Sequence, residues 1–409
     1  MNRWIEQPDH QAWLRNQLRQ QLDFGRGFPH PDGGAAYLDD TGTPDLARPV
    51  QTWITSRMLH VYSLGLLAGV PGCHRLAELA LAGLTGRLHD AVNGGWFAGV
   101  GPAAGERDET KACYAHAFVV FGSASATIAG VRGARELLDD ALAVLDRRFW
   151  EEAHGLHLDS CSGDWSEVSP YRGVNANMHS VEALLSAADA TDDVRWRHRA
   201  ARITGNVLHR AESNEWRIPE HFTPDWEPML DYHKDQPDHP FEPYGATVGH
   251  GLEWARLALH TRAALGEDHP DSGSLLHGAR ALFDRAVEDG WAVDGADGFV
   301  YTTDWDGTPV VRQRMHWVLA EAISASAALA SATADPAYEL WYRRCWEYAA
   351  THLIQSDGSW IHELDPANLP AATVWPGRPD LYHCVHAVLL QRLPLAPSAP
   401  RAISAGMLR

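Results

Sequence analysis

Cysteine is scarce in this 409-residue chain: there are five, with no Cys-x-x-Cys pair. That excludes a disulfide framework and paired-cysteine metal sites, and an odd set of isolated thiols suits a reducing cytoplasm. No apolar run approaches the roughly 18 residues of a bilayer-spanning helix. The stretch from Met1 to Arg19 lacks the apolar core of a secretory signal, and its Trp4, Ile5, Trp13 and Leu14 alternate with charge as in a first helix. Basic runs are missing too. With 53 acidic against 34 basic residues and a net charge of −19, the chain is a poor partner for nucleic acid or an anionic membrane. HExxH, GxSxG and a glycine-rich phosphate loop ending in Lys and Ser or Thr are all absent, so zinc-protease, serine-hydrolase and nucleotide chemistry are not indicated. The expectation is no cofactor and no required metal.

What the chain has instead is a period. His60, His116, His179, His250, His316 and His383 are separated by 56, 63, 71, 66 and 67 residues, and each opens a stretch that reads as a helix. A Gly-aromatic segment with hairpin turn chemistry precedes each one, as in Asn93-Gly94-Gly95-Trp96 and Asp297-Gly298-Phe299. Between these segments apolar residues recur at three- and four-residue spacing, as in Leu137, Leu138, Ala141, Leu145 and Phe149.

Six units of hairpin, helix, helix consume nearly the whole chain. The predicted fold is all-α, an (α/α)6 barrel or toroid of six inner and six outer helices with short β-hairpins at one end. Closure removes the need for the capping repeats of an open solenoid, the competing architecture. Residues 1–395 read as a single catalytic domain and 396–409 as a loosely packed Pro/Ala-rich tail.

A toroid points its inner-helix ends at one pocket, so the periodic histidines are site candidates. His10, His198, His209, His260 and His277 read as surface or structural ones. Around the six sit Arg57, Tyr114, Asn175, Trp317 and Glu321. Glu182 follows His179 by three and Glu253 follows His250 by three, a spacing that puts each pair on one helix face. Imidazoles titrate near neutral pH, as a general acid and base must. With an arginine and aromatic rings beside them, they suit proton transfer on a polyhydroxylated substrate, a monosaccharide.

Six stretches carry a resemblance: SRMLHVYSLG from Ser56, DETKACYAHAF from Asp108, NANMHSVEALL from Asn175, EPYGATVGHGLEWARL from Glu242, RMHWVLAEA from Arg314 and RPDLYHCVHA from Arg378. In them the chain resembles the N-acylglucosamine 2-epimerase superfamily, and within it the bacterial mannose isomerase and sulfoquinovose isomerase branch. The resemblance implies a cofactor-free aldose-ketose isomerisation, mannose to fructose with lyxose to xylulose as a secondary reaction, through a cis-enediolate. It places the acid/base pair on His250 and His383, with Glu253 holding the tautomer of His250. Arg57 is placed on the substrate oxygens, and Tyr114, Asn175, His179 and Trp317 on the substrate, with Glu321 added as a further contact. His383 is assigned the C2 proton and His250 the ring opening and oxygen protons, although the two roles are exchangeable.

Three alternatives stay open. A 2-epimerase needs nearly the same side chains. Sulfoquinovose would need a cation among Arg312, Arg314, Lys234 and Arg378. A glycoside hydrolase on the same toroid would use opposed carboxylates such as Glu220, Asp225, Asp304 and Asp306. The charged loop 227–244 reads equally as a lid or as a solvated loop, and the oligomeric state is open.

Overall fold

The computed structural model describes residues 3–409. Its inner ring consists of α2 (Thr52–Leu67), α4 (Cys113–Ile128), α6 (Val174–Thr191), α8 (Val248–Leu265), α10 (His316–Thr333) and α12 (Tyr382–Leu389). The outer ring consists of α1 (Pro8–Phe24), α3 (Cys73–Thr85), α5 (Ala134–Val144), α7 (Val194–Glu212), α9 (Ser272–Gly290) and α11 (Pro336–His352). Each inner helix packs on the next, α12 returns to α2, and each outer helix backs one inner helix, α1 backing α12. This is the (α/α)6 toroid expected from the repeat.

The two rings differ as their positions require. Outer α7 is amphipathic and buries Trp196, Ala200, Ile203, Thr204, Val207, Leu208 and Ala211, one stripe at helical spacing. Inner α2 is buried almost all round, from Ile54 to Gly65. Ala, Ser and Gly make that possible: a Cβ on Gly122 of α4 would stand 2.5 Å from the Ser56 carbonyl oxygen of α2. Side-chain caps start two outer helices, Asp193 accepting from the Arg195 amide and Asp335 from the Ala337 amide, the latter with Pro336 in the first turn.

Closure is visible in the hairpins as well. The strand before each inner helix pairs antiparallel with the following hairpin: Val50 with Val100, Lys111 with Cys161, Arg172 with Phe222, Ala246 with Thr303 and Arg314 with Leu364. The sixth tie, Leu38 with Arg378, joins the last unit to the first. All of these ties lie at the N-terminal ends of the inner helices, the end that carries the site.

The C-terminal segment departs from the loose tail expected of it. Residues Ala399–Ser404 form a short helix, α13, against α2, α4 and α6, with Ala402 and Ile403 buried. Asp189 of α6 anchors it, accepting from the Ser398 amide at 2.6 Å. Among the described residues no helix is long and apolar enough to cross a membrane.

Candidate active site

The periodic histidines do not share one depth. His316, His383, His250, His116, His179 and His60 are the first, second, third, fourth, sixth and ninth residues of their helices. At about 1.5 Å of rise per residue, His60 lies on the order of 12 Å further in than His316. Of the six, His179, His250, His316 and His383 line the pocket at the hairpin end, together with His362 from outside the period; it holds about 810 Å³ including its open mouth. His60 and His116, expected to line or support that pocket, do not line it. His60 is fully buried between the Ser125 hydroxyl (2.7 Å) and His386 Nε2 (2.9 Å). His116 ties the Trp96 amide (3.1 Å) to the Ala112 carbonyl (2.7 Å) in the hairpin layer.

Two of the four form matched pairs with carboxylates. His250 Nδ1 meets Glu220 Oε1 at 2.9 Å, and His383 Nδ1 meets Glu321 Oε1 at 2.9 Å. A ring that donates Nδ1–H to a carboxylate keeps its lone pair on Nε2, the tautomer a general base needs. Trp317 stands between the two imidazoles, its ring centre 5.3 Å from that of His250 and 5.8 Å from that of His383.

These pairs correct the helical-spacing assignments. Glu253 is not the partner of His250. It lines the pocket, as a site residue should, but its carboxyl goes to Arg256 Nη2 at 3.3 Å, with His179 Nδ1 3.8 Å away. Glu182 is not the partner of His179 either; it holds Arg256 and the Tyr382 hydroxyl. Glu321, expected to touch substrate, is fully buried behind His383. Sharing a face at i and i+3 permits a contact but does not compel one, and a guanidinium competes better than an imidazole for a buried carboxylate.

Arg57 is 6% exposed, donating from Nη1 to Asp380 (3.1 Å) and from Nη2 to the Tyr114 hydroxyl (2.8 Å). The rings of Phe118, Tyr382 and Trp53 enclose its guanidinium at 4.4, 4.7 and 4.9 Å. Burial opposes its charge, but Tyr114 and Asp380 more than offset that and raise its pKa. Asn175 lines the pocket too, and its buried Oδ1 has no protein partner.

Burial lowers the pKa of His383, opposed by its hydrogen bond to Glu321, and it pushes His179 and His316 well below the usual histidine value. The two inner glutamates diverge. Burial and the Glu321 charge push Glu253 well up, so it keeps its proton. Burial works against the Glu321 anion also, but Arg256 and His383 hold it ionised. His179, Glu182 and Glu253 lie close enough together to hold a metal, as do Glu253, Glu321 and His383. Arg256 salt-bridges carboxylates of both groups, so a metal cation there would have to displace its guanidinium.

The other candidates sort by position. Among the four carboxylates offered for glycoside hydrolysis, only Glu220 reaches the site, and it is bound to His250. Asp225 and Asp306 are exposed, while Asp304 accepts amide hydrogens in its own turn. Among the cations offered for a sulfonate, Arg314 is bound to Asp294 (2.6 Å), Lys234 to Asp231 (2.8 Å), Arg312 is exposed, and Arg378 lines the pocket. The 227–244 loop sends Phe241 over the mouth, edge-on to Trp375 (5.1 Å), Tyr114 (6.0 Å) and Trp53 (6.1 Å).

Sequence reasoning missed Asp380, Trp53, Phe241 and Trp375 as pocket residues. Asp380 carried a signal, since it stands three before His383 as Arg57 stands three before His60; the aromatic residues carried none.

A closed helical toroid with a rim of hairpins, and a pocket of imidazoles, carboxylates, arginine and aromatic rings, defines a sugar-converting enzyme. Residues 33–387 match the N-acylglucosamine 2-epimerase family, to which this chain belongs. It is an enzyme, an aldose-ketose isomerase. It is 50% identical over 408 residues to the D-mannose isomerase of Thermobifida fusca, covering 99% of both chains. To the D-mannose isomerase of Pseudomonas cannabina pv. alisalensis it is 44% identical, covering 98% of this chain and 97% of that one. A crystal structure of a D-mannose isomerase superposes with a TM-score of 0.85 at 30% identity, over 92% of this chain and 96% of the other. The cellobiose 2-epimerase of Spirochaeta thermophila, 23% identical with a TM-score of 0.80 over 97% of each chain, shares the fold.

Proposed function

We propose that the protein interconverts D-mannose and D-fructose, with D-lyxose and D-xylulose as secondary substrates, and that residues 1–395 form one catalytic domain with 396–409 as its C-terminal appendage. The observation that carries the mechanism is the pair of imidazoles, each held at Nδ1 by a carboxylate, that share one pocket with Arg57. His383 Nε2 removes the proton from C2 of the open-chain aldose. The C2–H electron pair forms the C1–C2 double bond, and the carbonyl electrons move to O1, giving a cis-enediolate. His383 returns the proton to C1 on the same face while His250, which also assists ring opening, carries the O2 proton to O1. Arg57 faces the enediolate oxygens as a preorganised charge, a role worth about a hundred- to thousandfold in rate by analogy with oxyanion sites. Tyr114, Asn175, His179 and Trp317 hold the sugar. Five buried, unpaired cysteines support a reducing, cytoplasmic setting.

A second reading, 2-epimerisation, draws on the same two histidines, since opposite faces of C2 need two bases. Turnover of mannose in D2O followed by NMR separates the two: fructose deuterated at C1 supports the isomerase, glucose deuterated at C2 the epimerase. Absence of both products would overturn both readings.

A further inference from the structure

The mechanism uses Arg57, at the pocket wall, but not Arg256, the most deeply buried arginine among the described residues. Arg256 is 1% exposed on α8 and sits beneath the site. Its Nε donates to Glu321 Oε2 of α10 at 2.8 Å, Nη1 to Glu182 Oε1 of α6 at 2.9 Å, and Nη2 to Glu253 Oε1 of its own helix at 3.3 Å. Glu321 is therefore gripped from both sides, with Arg256 on one carboxylate oxygen and His383 Nδ1 on the other. An unpaired buried charge is expensive, so a single guanidinium among three carboxylates decides which of them stays ionised.

We propose that Arg256 is a positioning residue: it acts through Glu321 to keep that carboxylate ionised and aimed at His383 Nδ1, so that Nε2 is the ring nitrogen free to take the substrate proton. The inference rests on His383 being the base of the proposed isomerisation. Without the guanidinium, Glu321 would be a fully buried carboxylate facing Glu253 and Glu182, and it would take up a proton. A protonated carboxyl can donate to Nδ1, which moves the ring hydrogen to Nε2 and removes the lone pair the reaction needs. The other groups facing this cluster are Tyr382 and His386 of α12, His179 of α6, His260 of α8, and Arg57 with Asp380 at the pocket wall. The Tyr382 hydroxyl donates to Glu182, and the histidines are held neutral by burial, so Arg256 is the cation on Glu321. Glu220, behind His250, has no arginine or lysine bound to it among the described residues.

The test is steady-state kinetics of the full-length enzyme across pH, with Arg256→Met, Arg256→Lys, Glu321→Gln and the Arg256→Met/Glu321→Gln double variant. Arg256→Met is expected to lower kcat about 10- to 1,000-fold, by analogy with disrupted His-carboxylate tautomers, with KM changed less than about threefold. Its acid limb of kcat/KM should move to lower pH, because His383 loses its anion. Glu321→Gln should add little in the Met background, and Arg256→Lys should restore most of kcat and the limb. A folded Met variant with unchanged kcat and limb overturns the proposal, as does full additivity with Glu321→Gln. Should the Met variant not fold, Arg256→Gln against Arg256→Lys decides, and identical limbs in these two overturn it. A wild-type enzyme that makes no fructose from mannose sinks the isomerase reading instead, independently of how the variants rank.

Discussion

The His250–Glu220 and His383–Glu321 pairs have the same 2.9 Å contact and are both buried, but they differ in the charge behind the carboxylate. Glu220 comes from the hairpin between α7 and α8, at the rim of the barrel, and its bond spans 30 residues of sequence. Glu321 comes from inside inner helix α10, is fully buried, and is backed by Arg256. Neither carboxylate is open to solvent, but Glu321 has the Arg256 guanidinium on its second oxygen, whereas Glu220 has no arginine or lysine bound to it among the described residues, and a buried carboxylate is charged or neutral according to such neighbours. The His383 pair is thus the one whose carboxylate is held from both sides. That suits it to the carbon-bound proton, and it leaves the rim pair for the faster exchanges between oxygens.

The sharpest way to break this comparison is to remove each ring. His383→Ala is expected to lower kcat about 10²- to 10⁴-fold, the usual range for a general base, and to abolish deuterium exchange at C2. His250→Ala should retain measurable exchange at C2. Equal loss of exchange in both, read by NMR in D2O, would erase the division of labour. Next comes Arg57→Ala, expected to cost about 10²- to 10³-fold in kcat, with KM for mannose raised less. A KM effect alone would make Arg57 a binding residue.

A smaller contrast lies in the carboxylates. Glu321→Gln should lower kcat at least about tenfold more than Glu220→Gln, since it removes the carboxylate that Arg256 and His383 share, whereas Glu220 has no arginine or lysine behind it among the described residues. Equal effects would mean that the internal cation does not distinguish the pairs. Histidines outside the two pairs report on stability: burial lowers His116, His260 and the pocket-lining His362 to about 4. Each takes up a proton near pH 6.5 when unfolded but stays neutral to about pH 4 when folded. The unfolded state then binds more protons, so stability is full above about pH 6.5 and falls as pH drops toward 4. Thermal melts from pH 7.5 to 4.5 should show Tm declining through this window, and by less in His260→Gln; a flat Tm would contradict it.

Much of the site was legible because repeat units place their helix starts at regular intervals. Arg57, Tyr114, Asn175, His179, His250, Trp317 and His383 all line the pocket their spacing indicated. The period misled at His60 and His116, since a 60-residue repeat says which helix a residue is on but not how many turns along it lies. Helical spacing also misled at Glu253 and Glu182, whose nearest charge turned out to be Arg256, three residues from one and 74 from the other.

By itself the sequence determined the toroid, because an apolar face that recurs six times has to be covered six times by equivalent neighbours, and a closed ring does this without ends. It also determined which residue types meet at the hairpin end. Only the tertiary structure decided who bonds to whom: Glu220 with His250, Glu321 with His383, and Arg256 among three glutamates. Those partners come from different helices and loops, and buried charge is satisfied by whatever lies within about 3 Å, not by what is near in the chain.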